Sequence, residues 1–191
     1  VEGRLPPPRS GDWAPAPVST DGEASHPGPD KIADDRCALA VNNCTSLTTQ
    51  LEGVLATQGD VICLSEVRLT STGQRLVDLR LAEKGYTAIW GAPKVRKRFG
   101  RVPPGGVAVL LRAPMAGKQI MPKSQVGKEM WEAGRLMHVA VPFQASVVQF
   151  FVVYGYPNAH SDREQRERNE RLLEETFRWA SEMGNVDCFV V

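Results

Sequence analysis

The sequence has almost no net charge and few sulfur or imidazole side chains. Its 191 residues carry 23 Lys and Arg against 22 Asp and Glu, a formal charge of +1, so the overall charge indicates no partner. The hydrophobic fraction of 42% and the charged fraction of 24% are typical of a globular protein, and the length suits one domain. Composition alone therefore names a class of protein but no function.

The four cysteines show no Cys-x-x-Cys spacing, and they lie in or beside apolar runs at Cys37, Cys44, Cys63 and Cys188. This pattern disfavours a zinc site or a disulfide framework and predicts reduced, mostly buried thiols. The chain also lacks an apolar run of the roughly 18 residues that cross a bilayer, and it lacks a signal-peptide pattern. We expect an intracellular protein with no membrane partner, in the nucleus or the cytoplasm.

The first 35 residues are rich in proline, glycine and serine and have almost no apolar periodicity. Such a composition cannot bury enough surface to offset its ordering entropy, so residues 1–35 are predicted to be a disordered leader. Residues 36–191 are predicted to be one partial domain. The sequence starts without Met and stops inside an apolar run, which we interpret as a fragment that is truncated within a strand.

Strand and helix patterns alternate from Arg36 onward, which predicts an α/β fold with mixed sheets and helices layered on them. Strands are predicted at residues 36–43, 60–66, 86–90, 105–112, 136–141, 147–154 and 186–191, with an antiparallel pair joined at 142–145. Helices are predicted after Thr45 or Ser46, over residues 72–84, and after a capping box at Ser161–Glu164.

Apolar spacing predicts the buried face of each helix. The residues expected to point inward are Leu47, Leu51, Val54 and Leu55 in the first helix, Leu76, Val77 and Leu79 in the second, and Leu172, Leu173, Phe177, Ala180 and Met183 in the last. Gly59, Gly85 and Gly184 are predicted to end these helices, with Gly59 in the left-handed conformation.

Glu66 is the most informative residue because it follows the apolar run Val61–Ser65 directly. The strands 36–43 and 60–66 are joined by a helix, so they are predicted to be parallel neighbours that bring Asn43 and Glu66 to one edge. A carboxylate beside an amide suits Mg²⁺, which binds one or two carboxylates plus waters and substrate phosphate. Alternatively, Asn43 begins the helix turn and Glu66 pairs with Arg68 or another base.

A basic segment follows the fifth predicted element. Lys94, Arg96, Lys97, Arg98 and Arg101 flank Phe99 within eight residues. Cations contact phosphates and an aromatic ring stacks on bases, so this segment is a candidate nucleic-acid contact. A solvated surface loop is the alternative, and the near-neutral overall charge leaves both open.

Five segments together resemble the endonuclease/exonuclease/phosphatase superfamily, and within it they are most similar to the endonuclease domains of non-LTR retroelements. They are NCTSL at 43–47, DVICLSEVRLT at 60–70, GGVAVL at 105–110, GRL at 134–136 and VYGYPN at 153–158. The resemblance covers residues 36–191. The fold that it implies is the N-terminal part of a four-layer α/β sandwich. The activity that it implies is hydrolysis of phosphodiester bonds with Mg²⁺, or with Mn²⁺ in its place. The expected substrate is nucleic acid, with DNA favoured over RNA, and no protein partner is implied.

Within that resemblance, Asn43 orients phosphate or water near the metal, Glu66 binds the metal, and Tyr154 donates a hydrogen bond to the scissile phosphate. Tyr156 competes for the tyrosine role because the segment has one residue more than the usual Tyr-x-Pro. Ser65 stands where the family has Gln. The family's Gly-Asp-Phe-Asn signature and catalytic Asp/His pair are not in the sequence.

The three histidines match no family position, and His26, His138 and His160 are interpreted as solvent, packing and loop residues. The parent protein is thus predicted to be a nuclease whose present fragment is inactive alone. The alternatives are a decayed remnant that binds phosphate-rich partners without turnover, and a lipid or inositol phosphatase on the same scaffold.

Overall fold

The computed structural model describes residues 36–95, 102, 104–184 and 187–191. The predicted leader, residues 1–35, lies outside this part of the chain. The strands are β1 (Leu39–Asn43), β2 (Val61–Ser65), β3 (Tyr86–Trp90), β4 (Val107–Arg112), β5 (Lys118–Ile120), β6 (Leu136–Phe143), β7 (Ser146–Val153) and β8 (Cys188–Val190). The helices are α1 (Leu47–Leu55), α2 (Ser71–Glu83), α3 (Gln125–Glu132) and α4 (Arg163–Ser181).

Two mixed sheets of four strands each form the middle of the described part of the chain. Their strand orders are β1-β2-β4-β3 and β5-β6-β7-β8. β1 pairs in parallel with β2 and β7 with β8, while the other neighbours are antiparallel. The predicted parallel pair and the predicted β6–β7 hairpin are both confirmed.

Alternation along the strands gives each sheet two buried faces, and three apolar clusters result. The first lies between the β1–β4 sheet and helices α1 and α2, and it includes Leu47, Leu64 and Leu81. The second lies between the sheets and includes Cys63 and Val139. The third lies between the other sheet and helices α3 and α4. The layers therefore run helix, sheet, sheet, helix, as the predicted fold class requires.

The predicted inner faces of two helices are partly wrong. In α2 the buried residues are Val77 and Leu81, whereas Leu76 and Leu79 are 61% and 67% exposed. In α4, Leu172, Glu175, Thr176 and Trp179 are buried, whereas Leu173 and Phe177 are 44% and 57% exposed. The buried stripe follows the spacing i, i+4 in α2 and i, i+3, i+4, i+7 in α4, so apolar residues beside these stripes face outward.

Caps and stops also differ from the prediction at two points. Asp162 caps α4 by accepting a hydrogen bond from the Gln165 amide at 3.2 Å, in place of the Ser161–Glu164 capping box. Gln58, with φ of 53°, takes the left-handed position that was predicted for Gly59. Gly85 and Gly184 have positive φ as predicted. Strand β5 and helix α3 were not predicted because both are short and α3 contains Gly127.

No helix in the described ranges is both long and apolar enough to span a membrane.

Candidate functional site

The site lies where β1 and β2 end side by side. Their register pairs Asn43 with Ser65, and the Cys44 amide donates to the Ser65 carbonyl oxygen at 3.1 Å. Glu66 is the next residue of β2's chain. Burial raises the pKa of the Cys44 thiol to about 11, and the negative charge of Glu66 adds to this rise. The end of β1 and Glu66 therefore share one edge of the sheet.

Glu66 is only 8% exposed and has a left-handed backbone with φ of 60°. The backbone around it is tied down on two sides: the Val67 amide donates to the Gly106 carbonyl at 3.2 Å and the Leu47 amide to the Val67 carbonyl at 3.3 Å. A non-glycine residue in this conformation costs roughly 1–3 kcal/mol and persists only where its surroundings hold it. The fold thus fixes a buried carboxylate at the strand end.

The carboxylate forms an ion pair with Arg68, whose Nη2 donates to Oε1. Asn43 is exposed, and its side-chain oxygen accepts a hydrogen bond from the Thr45 amide at 3.3 Å. These are the contacts of the alternative interpretation, in which Asn43 begins a turn and Glu66 pairs with a base. The same carboxylate is also in hydrogen-bond contact with Tyr154.

Tyr154 approaches Glu66 from the other sheet, just after β7. Burial raises the pKa of the Tyr154 phenol, the charge of Glu66 and a hydrogen bond to it raise it further, and Arg135 lowers it. The phenol therefore remains protonated at neutral pH and serves as a donor. Of the two candidate tyrosines, Tyr154 is the one that hydrogen-bonds to Glu66, and Tyr156 contacts the guanidinium group of Arg135.

Arg135 was not predicted to belong to the site. Its guanidinium group lies 4.5 Å from the ring centroid of Tyr154 and 4.5 Å from that of Tyr156. Its Nη1 donates to the Gly155 carbonyl at 2.7 Å, and the side chain is only 7% exposed. It forms no salt bridge with any residue that the structure describes. A buried guanidinium held by two rings, the Tyr154 phenol and a carbonyl supplies fixed positive charge beside Tyr154.

Lys94, the first cation of the predicted basic segment, does not extend into solvent. It is 9% exposed, and its ammonium group donates to the Ala133 carbonyl. Burial and then the charge of Arg135 lower its pKa. A side chain at Gly134, whose φ is 63°, would strike this ammonium group, so glycine is required there. The other four predicted contacts, Arg96, Lys97, Arg98 and Arg101, lie outside the described residues.

Asn42 is a second residue that the sequence did not single out. Its amide nitrogen is buried and has no hydrogen-bond partner among the described residues. Together with Asn43, Thr45 and Gln50 it lines a polar cavity of about 380 Å³. The signal in the sequence was the pair of amides that ends β1, which does not reveal which amide turns toward the site.

The described donor set suits a cation that needs only one protein carboxylate. No group of three or more His, Cys, Asp or Glu residues in the described ranges could hold a metal. Glu66 supplies one carboxylate, and Asn43, which pairs with Ser65 at the end of the neighbouring strand, supplies an amide group at the same edge. Mg²⁺ binds through one or two carboxylates together with water and substrate phosphate, so these residues fit it, whereas they do not form a closed zinc-type site.

Searches with the sequence match no protein-family model and no curated protein. Solved structures do match. The 3′ phosphatase NExo from Neisseria, bound to a product DNA hairpin, has a TM-score of 0.50 and 18% identity, over 79% of this chain and 54% of its own. The chain has the endonuclease/exonuclease/phosphatase fold. An AP endonuclease from Archaeoglobus fulgidus gives a TM-score of 0.51 at 17% identity, over 73% of this chain and 51% of its own.

The APE2 catalytic domain of Xenopus laevis gives a TM-score of 0.51 at 16% identity, over 72% of this chain and 50% of its own. The chain thus spans about half the length of these endonuclease/exonuclease/phosphatase structures. The predicted resemblance and the predicted fold class are both confirmed, and at these identities the likeness concerns the fold.

Proposed function

We propose that the protein to which this chain belongs hydrolyses phosphodiester bonds in nucleic acid, with DNA as the expected substrate and Mg²⁺ as the cofactor. The observation that carries the proposal is the placement of Glu66, a buried carboxylate held in a left-handed backbone at a strand end, beside the protonated phenol of Tyr154. Perturbed, convergent polar groups of this kind are typical of catalytic sites.

Each described side chain has a role in this scheme. Tyr154 donates a hydrogen bond from its phenol to a non-bridging phosphate oxygen, and Arg135 holds the Tyr154 ring by a cation–π contact. Arg68 pairs with Glu66 and provides a guanidinium group for a phosphate when one is bound. Asn43, exposed at the same edge, orients phosphate or water. A divalent cation held by Glu66 and an amide would act as a Lewis acid on the phosphate.

Water attack also needs a base to accept a proton. The titratable side chains around Glu66 include Arg68, Tyr154 and Cys44; the first is a cation, and burial raises the pKa of the phenol and of the thiol, so none of the three accepts a proton at neutral pH. His138 is completely buried in the third apolar cluster, and His160 is an exposed residue of the loop before α4. We therefore propose that the 191-residue chain is inactive alone and that a longer form of the protein supplies the base.

The test is Mg²⁺-dependent cleavage of labelled duplex DNA, with and without an abasic site, by the 191-residue chain and by a longer form. Only the longer form should cleave, and Glu66→Gln should abolish its activity, whereas Glu52→Gln, at an exposed carboxylate paired with Arg80, should not. Robust cleavage by the 191-residue chain would refute its inactivity. Hydrolysis of inositol phosphates without cleavage of DNA would identify the lipid-type alternative instead.

The Arg68–Glu66 pair favours one second candidate function, a remnant that binds phosphate-rich partners without turnover. In that case a base already neutralises the carboxylate, and the guanidinium groups at 68 and 135 alone attract phosphate. Mg²⁺ affinity separates the two functions. A remnant would bind Mg²⁺ equally well with Glu66 or Gln at this position.

A further inference from the structure

A pocket between α3 and α4 has no role in the scheme above. It has a volume of about 170 Å³ and is lined by Val126, Glu129, Met130, Tyr156, Arg168 and Arg171. A cavity of roughly 150 Å³ is enough to admit one benzene ring. The pocket is therefore of the size for one planar ring system rather than for a paired duplex.

The wall formed by Tyr156 is held in place from several directions. The Tyr156 amide donates to Asn169 Oδ1 at 2.6 Å, and Asn169 Nδ2 donates back to the Tyr156 carbonyl at 3.1 Å. The guanidinium groups of Arg135 and Arg168 lie 4.5 and 5.6 Å from the ring centroid. A pocket wall that is fixed before a ligand arrives reduces the ordering cost of binding.

The lining combines an apolar floor with polar groups that differ in character. Met130 is buried and Val126 packs beside it in the third apolar cluster. Glu129 offers a carboxylate acceptor, and Arg171 offers a guanidinium donor that forms no salt bridge with another described residue. Arg168 already pairs with Glu164. Since Arg168 is paired with Glu164, Arg171 and Glu129 remain as one donor and one acceptor above an apolar floor, which suits a ring with apolar faces and a polar edge.

The pocket adjoins the site at Glu66 through one residue. The Arg135 guanidinium group lies 4.5 Å from the ring centroid of Tyr154 and 4.5 Å from that of Tyr156, so both tyrosines contact the same guanidinium group. A phosphate beside Tyr154 and a base beside Tyr156 thus belong to neighbouring parts of one strand.

We propose that the α3–α4 pocket binds one unpaired nucleobase of a nucleic-acid strand whose backbone lies at the Glu66 site. Its position along the strand rests on the proposed function, but the binding itself needs neither metal nor turnover. Arg171 donates to the base edge, Glu129 accepts from it, and a ring face lies on the apolar floor formed by Val126 and Met130.

The experiment measures fluorescence anisotropy of labelled single-stranded DNA octamers with the 191-residue chain in EDTA. The probes are homopolymers of the four bases and an octamer whose central nucleotide is an abasic spacer. Arg171→Met and Glu129→Gln change the pocket, and Arg163→Met removes the same charge from an exposed position of the same helix. Unlabelled nucleoside monophosphates serve as competitors and distinguish a free nucleotide from a strand as the ligand.

Wild-type protein should bind base-containing octamers more tightly than the abasic octamer. Arg171→Met should lower the affinity for base-containing octamers about tenfold, the usual discrimination from one good base contact. The affinity for the abasic octamer should change little in Arg171→Met, and Arg163→Met should bind every octamer as wild type does. Equal losses for Arg171→Met and Arg163→Met, equal binding of the abasic octamer, or no binding by wild type would each overturn the inference.

Nuclease tests separate the inference from the proposed function. If the octamers show no base preference while a longer form cleaves DNA with Mg²⁺, the pocket inference alone is wrong. If base preference is present while Glu66→Gln and wild type are equally inactive in a longer form, the proposed hydrolysis alone is wrong.

Discussion

Arg135 and Tyr154 contact each other through both their side chains and their backbones. The guanidinium group lies 4.5 Å from the Tyr154 ring centroid, and the Tyr154 amide donates to the Arg135 carbonyl at 2.8 Å. One residue thus fixes both the ring and the backbone of the phenol beside Glu66. The contact also carries charge, because Arg135 lowers the pKa of that phenol while burial and Glu66 raise it.

Replacing Arg135 by Met should therefore raise the pKa of Tyr154 further and destabilise the protein by about 1–2 kcal/mol, the size of a desolvated cation–π contact. Ultraviolet titration of the phenols measures the first effect, with Tyr154→Phe identifying the signal, and urea unfolding measures the second. Arg80→Met, at an exposed arginine of α2, is the matched control. An unchanged Tyr154 titration in Arg135→Met would contradict the contact.

Arg68 competes with any cation for Glu66, because its guanidinium group occupies one carboxylate oxygen. Replacing Arg68 by Met should increase Mg²⁺ affinity about threefold, in keeping with the modest strength of such pairs. Glu66→Gln should remove Mg²⁺ binding, since the amide keeps the shape but loses the charge. Isothermal titration calorimetry with MgCl₂ decides both points. Weaker binding in Arg68→Met would show that Arg68 helps to hold the metal site together.

The edge of β1 and β2 was predictable because each strand is an apolar run that ends in a polar residue, and helix-linked strands are usually parallel neighbours. The presence of Arg135 in the site was harder to predict, although the predicted hairpin indicates which residues of its two strands lie opposite each other. The observed register pairs Leu136 with Val153, which places Arg135 opposite Tyr154. What the sequence did not reveal is that this cation is buried, because its burial depends on the rings and carbonyl groups of the segment after β7, Tyr154, Gly155 and Tyr156.

The predicted buried faces of α2 and α4 were partly wrong for a related reason. Apolar residues at Leu76, Leu79, Leu173 and Phe177 satisfy a helical period, but which flank of the stripe meets the sheet depends on how each helix lies across the strands. Trp179 and Leu81 occupy the contacts that the sequence interpretation assigned to those neighbours. Periodicity therefore predicted the helices well and their rotation poorly.

His138 should make the protein sensitive to acid. Its ring lies in the third apolar cluster, stacked 4.2 Å from Phe151, and its Nε2 hydrogen-bonds to Gln149 Oε1 at 2.6 Å. Nδ1 is buried without a partner among the described residues, so a second proton would have no acceptor. Burial accordingly lowers the pKa of His138 below its ordinary value of 6.5, although the Gln149 hydrogen bond opposes this.

The sign of the effect follows from that depressed pKa. The unfolded chain gains a proton as the pH falls through 6.5 and the folded protein does not, so stability should fall below that pH by at most about 1.4 kcal/mol per pH unit. Urea unfolding between pH 7.5 and pH 5.5, on the order of two pH units, measures this slope. His138→Gln should flatten it, whereas His160→Gln should keep it; equal slopes in wild type and His138→Gln would sink the idea.

Gly59 is constrained by close packing and not by a left-handed backbone, and this distinction is testable. A methyl group at Gly59 would lie 3.0 Å from Ala40 Cβ and 3.1 Å from both the Ile62 side chain and the Val61 carbonyl oxygen. These neighbours belong to β1 and β2, so Gly59→Ala should push apart the two strands that form the site, at a cost of about 1–3 kcal/mol.

Gly53 provides the opposite case within α1, because the nearest atom to a methyl group there is 3.9 Å away. Gly53→Ala should stabilise the protein by about 0.5–1 kcal/mol through helix propensity. Urea unfolding of the two variants should therefore shift in opposite directions, and a shift in the same direction would show that close approach is not what selects glycine at position 59.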